Sequence, residues 1–264
     1  MDLKLIEKYK ALGIADVIDH EKFNNISVVH HSTVIEGSTL TEVEAQVLIN
    51  EGLTPKGKPL NHSLMVTDHF NALLFALKEA EEKRPVSIAL IQELNSLVIR
   101  STGMVYNTIF GTVDSTKGEF RKGNVTAGNT YFPNFDKVVP LVKNMVDKID
   151  GMMKENLSLS EQVQLSFDAH YNLVSIHPFY DGNGRTSRLL MNYIQAFYKL
   201  PLAIVYQESK AEYIQALIDT REKEDVNIFR DFMAKEYTGL LKDEIRKFQE
   251  IEKPKKGKGF TLLF

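Results

Sequence analysis

One run of the chain, IHPFYDGNGRTSRLLMNY (residues 176–193), brings together His177, Asp181, Asn183, Arg185 and Arg188, with Gly182 and Gly184 on either side of the asparagine. The imidazole is the only group of this set whose ordinary pKa suits proton transfer near neutrality. A carboxylate just ahead of glycines can hold Mg2+, which is commonly bound through one or two carboxylates plus substrate phosphates. Arginines three apart share a helix face, and their planar forks bind phosphate oxygens bidentately. Glycines preceding a helix let backbone N–H groups converge where the helix dipole is positive, which makes an anion-binding nest. The chemistry indicated is that of a polyphosphate with a base beside it.

These groups need two helices to position them. DGNG is a poor helix segment, whereas Leu189, Leu190, Tyr193, Ile194 and Phe197 follow helical spacing, so a helix is predicted to begin near Asn183. His177 falls at the C-terminal end of a preceding helix over Ser160–Ile176, where Pro178 blocks regular continuation and Ser158 with Glu161 has capping-box spacing. A zinc site from His170, His177 and Asp181 is disfavoured, because seven residues on one helix separate the histidines by about 10 Å. His170 is expected to be a structural, hydrogen-bonded histidine, and Phe179 a core anchor for the loop.

The rest of the chain reads mainly as helix. Thr41–Asn50 opens with a possible capping box (Thr41 and Glu44), His62–Arg84 stops at Pro85, and Pro85–Ser101 has apolar residues every three or four positions. Gly103–Phe135 differs, with five glycines and the sequence VTAGNTYF, which predicts a small hairpin over Val125–Phe132. Helices resume over Phe135–Met153 and twice more within residues 210–250, before a charged tail, EKPKKGKG. At 264 residues and 43% hydrophobic content a sizeable core is available, and a net charge of −3 gives no footprint for nucleic acid. The absence of cysteine excludes disulfides and thiolate metal sites. No stretch approaches a membrane span and MDLKLIEKYKAL lacks a signal-peptide core, so a cytoplasmic protein with no membrane partner is expected.

A second pattern stands near the N-terminus. Ser32 and Glu36 are four apart, on one face of a short helix predicted over about 30–37, with Gly37 as its stop.

The run from His177 to Arg188 matches every fixed position of the Fic-family signature, HxFx(D/E)GNGRxxR, and Ser32–Gly37 resembles that family's inhibitory motif, (S/T)xxxE(G/N). The resemblance extends from about residue 28 to about 235, through PLNHSLMVTDHFNAL, IQELNSLVIRSTG and GEFRKGNV. It implies an all-α Fic-type helical bundle with a small β-hairpin flap. The organisation expected is an N-terminal helical region (1–60) with the inhibitory helix, a catalytic core (61–235), and a C-terminal helix end with a Lys-rich tail (236–264). The implied reaction is transfer of AMP from ATP to a Ser, Thr or Tyr hydroxyl of a protein, with release of pyrophosphate.

By that resemblance His177 takes the hydroxyl proton, Asp181 coordinates Mg2+, and Gly182, Asn183 and Gly184 cradle the phosphates through backbone and side chain. Arg185 helps hold the β-phosphate region and orients the loop, Arg188 binds the γ-phosphate, and Tyr213 lines the adenine pocket. Ile214 and Arg221 depart from the Tyr and Asn of well-studied relatives. The flap, with Val125, Thr126, Ala127, Gly128, Asn129, Thr130 and Tyr131, docks a target segment as an added strand. Glu36, with Ser32, occupies Arg188 and blocks the γ-phosphate position. ATP, an unidentified hydroxyl-bearing protein, the chain itself as a target, and a homodimer are the partners expected. The alternatives are removal of AMP or transfer of another phosphate-containing group on the same fold, and, from another class, a non-catalytic nucleotide-sensing module, which would have no need of a base.

Overall fold

Thr41 and Ser158 start their helices as the spacing predicts. The Glu44 N–H donates to Thr41 Oγ1 (3.2 Å) and the Glu161 N–H to Ser158 Oγ (3.4 Å), while each glutamate accepts the N–H of its capping residue at 2.8 Å. Four orphan N–H groups at each helix start make such caps worth about 1 kcal/mol. The computed structural model describes residues 2–16, 20–128 and 130–252; Asn129 of the flap and the Lys-rich tail beyond Glu252 lie outside the described residues.

Ten α-helices dominate the described residues: α1 (Lys4–Ala11), α2 (His20–Ile35), α3 (Glu42–Glu51), α4 (Leu60–Glu81), α5 (Ile88–Val98), α6 (Val138–Met153), α7 (Leu159–Ile176), α8 (Asn183–Phe197), α9 (Lys210–Lys223) and α10 (Val226–Glu252). Between α5 and α6 stand two antiparallel hairpins, β1 (Val105–Thr108) with β2 (Gly111–Asp114), and β3 (Thr126–Ala127) with β4 (Thr130–Tyr131). The sequence predicts only the second. The first turns through Ile109 and Phe110, neither a turn former and both exposed, and Gly111 supplies a positive φ of 109° immediately after. The flap pairs Thr126 with Tyr131 and Ala127 with Thr130.

α8 is the buried centre of the bundle, packed by α7, α4 and α5. Its apolar residues Leu189, Leu190, Met191, Tyr193 and Ile194 are all buried, and so are its polar ones, including Arg185, Thr186, Ser187, Arg188, Asn192 and Gln195. Buried polar groups must find partners inside the protein. Gln195 Oε1 accepts the Ala203 N–H at 2.8 Å, and Ser187 Oγ donates to the Asn183 carbonyl at 2.6 Å. The short helix predicted over about 30–37 is instead the end of α2, which runs 16 residues; its last bonds continue past Ile35 as Glu36 N–H to Thr33 O (3.1 Å) and Gly37 N–H to Val34 O (3.0 Å). Glu36 therefore sits on the turn that terminates α2, and Gly37 stops it at a φ of 104°.

Candidate active site

The loop between α7 and α8 takes its shape from its own side chains. His177 caps α7 in the left-handed region (φ 52°), its N–H donating to Leu173 O at 3.0 Å. Such a conformation is strained for a residue with a Cβ and persists only where surrounding contacts hold it. Asn183 closes the loop: Phe179 N–H donates to Asn183 Oδ1 and Asn183 Nδ2 donates to Phe179 O, both at 2.9 Å. Both ends of the carboxamide are thus engaged within the loop, and what Asn183 offers a phosphate is its backbone N–H. Phe179 is 1% exposed and its ring lies 5.3 Å from that of Phe120; burial of such a ring contributes about 1.5–3 kcal/mol. It is the anchor the sequence predicts.

Gly182 at the N-cap of α8 has no side chain to cap it, so the first N–H groups of the helix have no capping side chain. Gly182, at φ 79°, has no room for a Cβ, which would meet Asn95 Nδ2 at 2.8 Å and Ile99 Cγ2 at 2.9 Å. Asn95 itself donates to Asp181 O (3.0 Å) and Thr186 Oγ1 (3.1 Å), holding the loop to α5. Asn95 was not a sequence candidate, although a lone carboxamide on the buried face of an apolar helix is a signal that could have found it.

The two motif arginines have different surroundings. Arg185 is 2% exposed and donates to Val98 O (3.2 Å) and Asp181 Oδ1 (3.3 Å), so it ties the loop to α5. Arg188 reaches α2: Nε donates to Ser32 Oγ (2.8 Å), and Nη2 to Ser32 O (3.0 Å) and Glu36 Oε1 (2.7 Å). The Glu36 side chain is 33% exposed and that of Arg188 4%. Burial opposes ionisation of Glu36, but the charge of Arg188, the hydrogen bond between them, and the charges of Arg185 and Lys210 outweigh it and hold the carboxyl below its ordinary range. A Cβ on Gly184 would collide with Glu36 Oε1, so the carboxylate lies directly on the first turn of α8, where an anion nest was predicted.

A cleft of about 700 Å³ opens over this point, lined among others by Glu36, His177, Gly184, Arg188 and Tyr213. The flap forms one wall through Ala127, Gly128, Thr130 and Phe132. Phe132 stacks on the His177 imidazole (centroids 3.8 Å apart, planes at 17°), and the Arg221 guanidinium lies 5.5 Å over the same phenyl ring. Burial pushes the His177 pKa down to about 4, opposed by the Val174 carbonyl and Glu36 and assisted by Arg121 and Arg221. His177 is therefore a neutral imidazole at pH 7, the state a base requires. Tyr213 lines the cleft with its hydroxyl 2.9 Å from His170 Nε2, which gives His170 the structural partner expected of it.

His177, Gly184, Arg188, Tyr213, Glu36 and three of the predicted flap residues, Ala127, Gly128 and Thr130, thus share one cleft, with Ser32 behind Arg188. Val125, Thr126 and Tyr131 belong to the flap but do not line the cleft, and Tyr131 is 82% exposed. Asp181 is half exposed, with one oxygen accepting from Gly182 N–H (2.6 Å) and Arg185. No group of three or more metal-ligating side chains occurs among the described residues. A single exposed carboxylate beside a phosphate nest still fits Mg2+, which takes few protein ligands when phosphates supply the rest.

The fold and this site define a class. Residues 85–195 match the model of the Fic/DOC family, and the chain is a Fic-domain protein. A Fic-domain signalling protein from Bacteroides thetaiotaomicron shares the fold with a TM-score of 0.79 at 22% identity, covering 94% of this chain and 96% of that one. A fragment of Fic-1 from Caenorhabditis elegans does so with a TM-score of 0.74 at 24% identity, covering 95% and 74%. In sequence the chain is 30% identical over 210 residues to the protein adenylyltransferase Fic of Drosophila willistoni, which covers 78% of this chain and 39% of the relative. It is 29% identical over 193 residues to the protein adenylyltransferase fic-1 of Caenorhabditis briggsae, covering 72% and 35%. The chain therefore spans less than half the length of these curated relatives.

Proposed function

We propose that this protein is a protein adenylyltransferase held latent by its own Glu36. The observation that carries the reading is the placing of a neutral His177 in one cleft with the uncapped first turn of α8 and with Arg188. In the reaction a target hydroxyl oxygen attacks the α-phosphorus of ATP. The new O–P bond forms as the bond to the bridging oxygen of pyrophosphate breaks, and the hydroxyl proton passes to His177. The chain's contribution is positioning and charge stabilisation, the main needs of phosphoryl-type transfer. Mg2+, when bound through Asp181, would supply additional positive charge to the phosphates. The first-turn N–H groups of α8 and Arg188 would receive the polyphosphate, and Tyr213 with Ile214 and Leu217 offers an apolar wall for the base.

Latency follows from occupancy. Glu36 takes Nη2 of Arg188 and the space over Gly184 together, so a γ-phosphate and this carboxylate are mutually exclusive ligands. The exposed edge of the flap suits backbone pairing with an extended target segment; the division proposed is an N-terminal inhibitory region (1–60) and a core (61–235). A second reading, AMP removal with Glu36 directing a water, draws on the same feature, because Glu36 and His177 line one cleft.

The test is incubation of the parent, Glu36→Gly and Glu36→Gly/His177→Ala with labelled ATP, Mg2+ and cell lysate. Glu36→Gly is expected to raise label transfer by about tenfold or more, the equivalent of roughly 1.4 kcal/mol. His177→Ala is expected to remove roughly 10²- to 10⁴-fold of that activity, as for loss of a general base. Label transfer that survives His177→Ala would reject the mechanism. Release of AMP from a modified protein by the parent but not by Glu36→Gly would favour the second reading.

A further inference from the structure

Arg121 stands outside the signature, one residue after Phe120 and just before the flap, and it is 2% exposed. Its partners are all main-chain oxygens. The backbone N–H donates to Pro178 O (2.9 Å), Nε to His177 O (2.8 Å), Nη1 to Gly123 O (2.8 Å) and Nη2 to Pro133 O (2.6 Å). No carboxylate pairs with it among the described residues. A buried cation without a counter-ion is expensive, and the carbonyl dipoles of three segments are what hold this one.

The choice of carbonyls is informative. His177 and Pro178 form the turn in which the imidazole is presented, in the left-handed conformation that needs external support. Gly123 and Pro133 are the two feet of the flap, with β3, β4 and Phe132 between them. A second tie, from Phe135 N–H to Asn124 Oδ1 (3.0 Å), closes the same base without touching the His177 turn. The guanidinium fork is thus the direct hydrogen-bonded link between the peptide that carries the base and the strands proposed to align the target.

We propose that Arg121 is a positioning residue for AMP transfer: its fork fixes the His177 main chain and both feet of the flap to one another, so that imidazole and docked target hydroxyl meet in register. This rests on the transferase reading above. Arg121 does not line the cleft where the nucleotide would bind, so its action falls on the transfer step and leaves nucleotide affinity alone. A displacement of the order of 1 Å in such an arrangement costs roughly 10²-fold in rate. Lysine cannot replace the fork, because an ammonium group is a point charge without the planar, divergent donors that three carbonyls require.

The experiment uses Arg121→Lys and Arg121→Gln in the Glu36→Gly chain, with three readouts. Binding of a non-hydrolysable ATP analogue is expected to stay within about twofold of Glu36→Gly for both variants, while kcat for target labelling falls about 10²-fold in both. The third readout is the titration of His177 by NMR of the imidazole nitrogens, which needs no turnover. Arg121 is one of the charges that hold His177 down, so Arg121→Gln is expected to move the His177 midpoint upward and Arg121→Lys to leave it near its starting value.

Full activity in Arg121→Lys, or a loss of nucleotide affinity that accounts for the loss of rate, overturns the proposal. So does an unchanged His177 midpoint in Arg121→Gln, and so does failure of both variants to melt cooperatively, which would assign Arg121 to folding alone. If the Glu36→Gly chain itself transfers nothing, the transferase reading fails, and the His177 titration still reports whether Arg121 holds that turn.

Discussion

Two buried cations flank the loop between α7 and α8 and are held in opposite ways. On the flap side Arg121 is gripped by backbone carbonyls, which are part of the main chain of the turn and of the flap's two feet. On the α2 side Arg188 is gripped by a hydroxyl, one carbonyl and a carboxylate that is one-third exposed. The first arrangement is fixed. The second is exchangeable, because Glu36 can be replaced at the guanidinium by any anion of suitable shape. On the proposed reading the difference separates preorganisation from control within a single loop: what would position the base is built from main chain, and what would withhold activity is built from a side chain.

The fixed side breaks most severely if its internal closure is removed. Asn183→Ala leaves the buried N–H and C=O of Phe179 unpaired, and about 2–4 kcal/mol of stability should be lost, lowering the melting temperature by roughly 5–10 °C. Transfer by the Glu36→Gly chain should fall by about 10²-fold with it, read by label incorporation. A melting temperature unchanged by Asn183→Ala would mean that the loop is held elsewhere.

The exchangeable side should respond in the other direction and more mildly. Ser32→Ala removes the acceptor of Arg188 Nε but leaves Glu36 in place, so transfer by the parent chain is expected to rise by about fivefold, below the effect of Glu36→Gly. A loss of activity would show that Ser32 serves the active state.

The smallest change expected is with pH. Because the folded pKa of Glu36 is depressed, the proposed latch would be complete above the ordinary carboxylate range and lost only as pH falls through the lower folded value. His177, with a folded pKa of about 4, stays a neutral base over the same window. The ratio of Glu36→Gly to parent activity should thus vary by less than about twofold between pH 5 and pH 8, since neither group titrates there. Activation of the parent between pH 5 and 6 would break the account of the latch.

What the sequence made legible was local. The start of α8 near Asn183, the capping boxes at Thr41 and Ser158, and the helix end at His177 all depend on residues within four positions of one another, where spacing carries the information. The pairs that assemble the site are remote: Arg121 with His177 are 56 positions apart, Asn95 with Thr186 91, and Arg188 with Ser32 156. No periodicity encodes them. Resemblance supplied the pairing of Glu36 with Arg188, but not Arg121 or Asn95, which touch loop backbone and no ligand. The first hairpin was missed for a different reason, because Ile109 and Phe110 carry no turn chemistry and the following glycine alone makes the bend. The length of α2 was missed because its buried residues include His30, His31, Ser32 and Thr33, which read as surface.

The anchoring of Glu36 on the terminal turn of α2 has a further consequence. Under the proposed latency, a carboxylate carried on the end of a packed helix competes with ATP as a tethered ligand, at an effective concentration that geometry sets, typically in the millimolar range for short connections. Dilution of the protein does not weaken such a competitor, and a rise in ATP displaces it only when the nucleotide exceeds that local concentration. On the same proposal, an event that shifted α2 away from α8 by a small distance would lower the local concentration at once, and so would open the cleft to nucleotide at levels that previously had no effect.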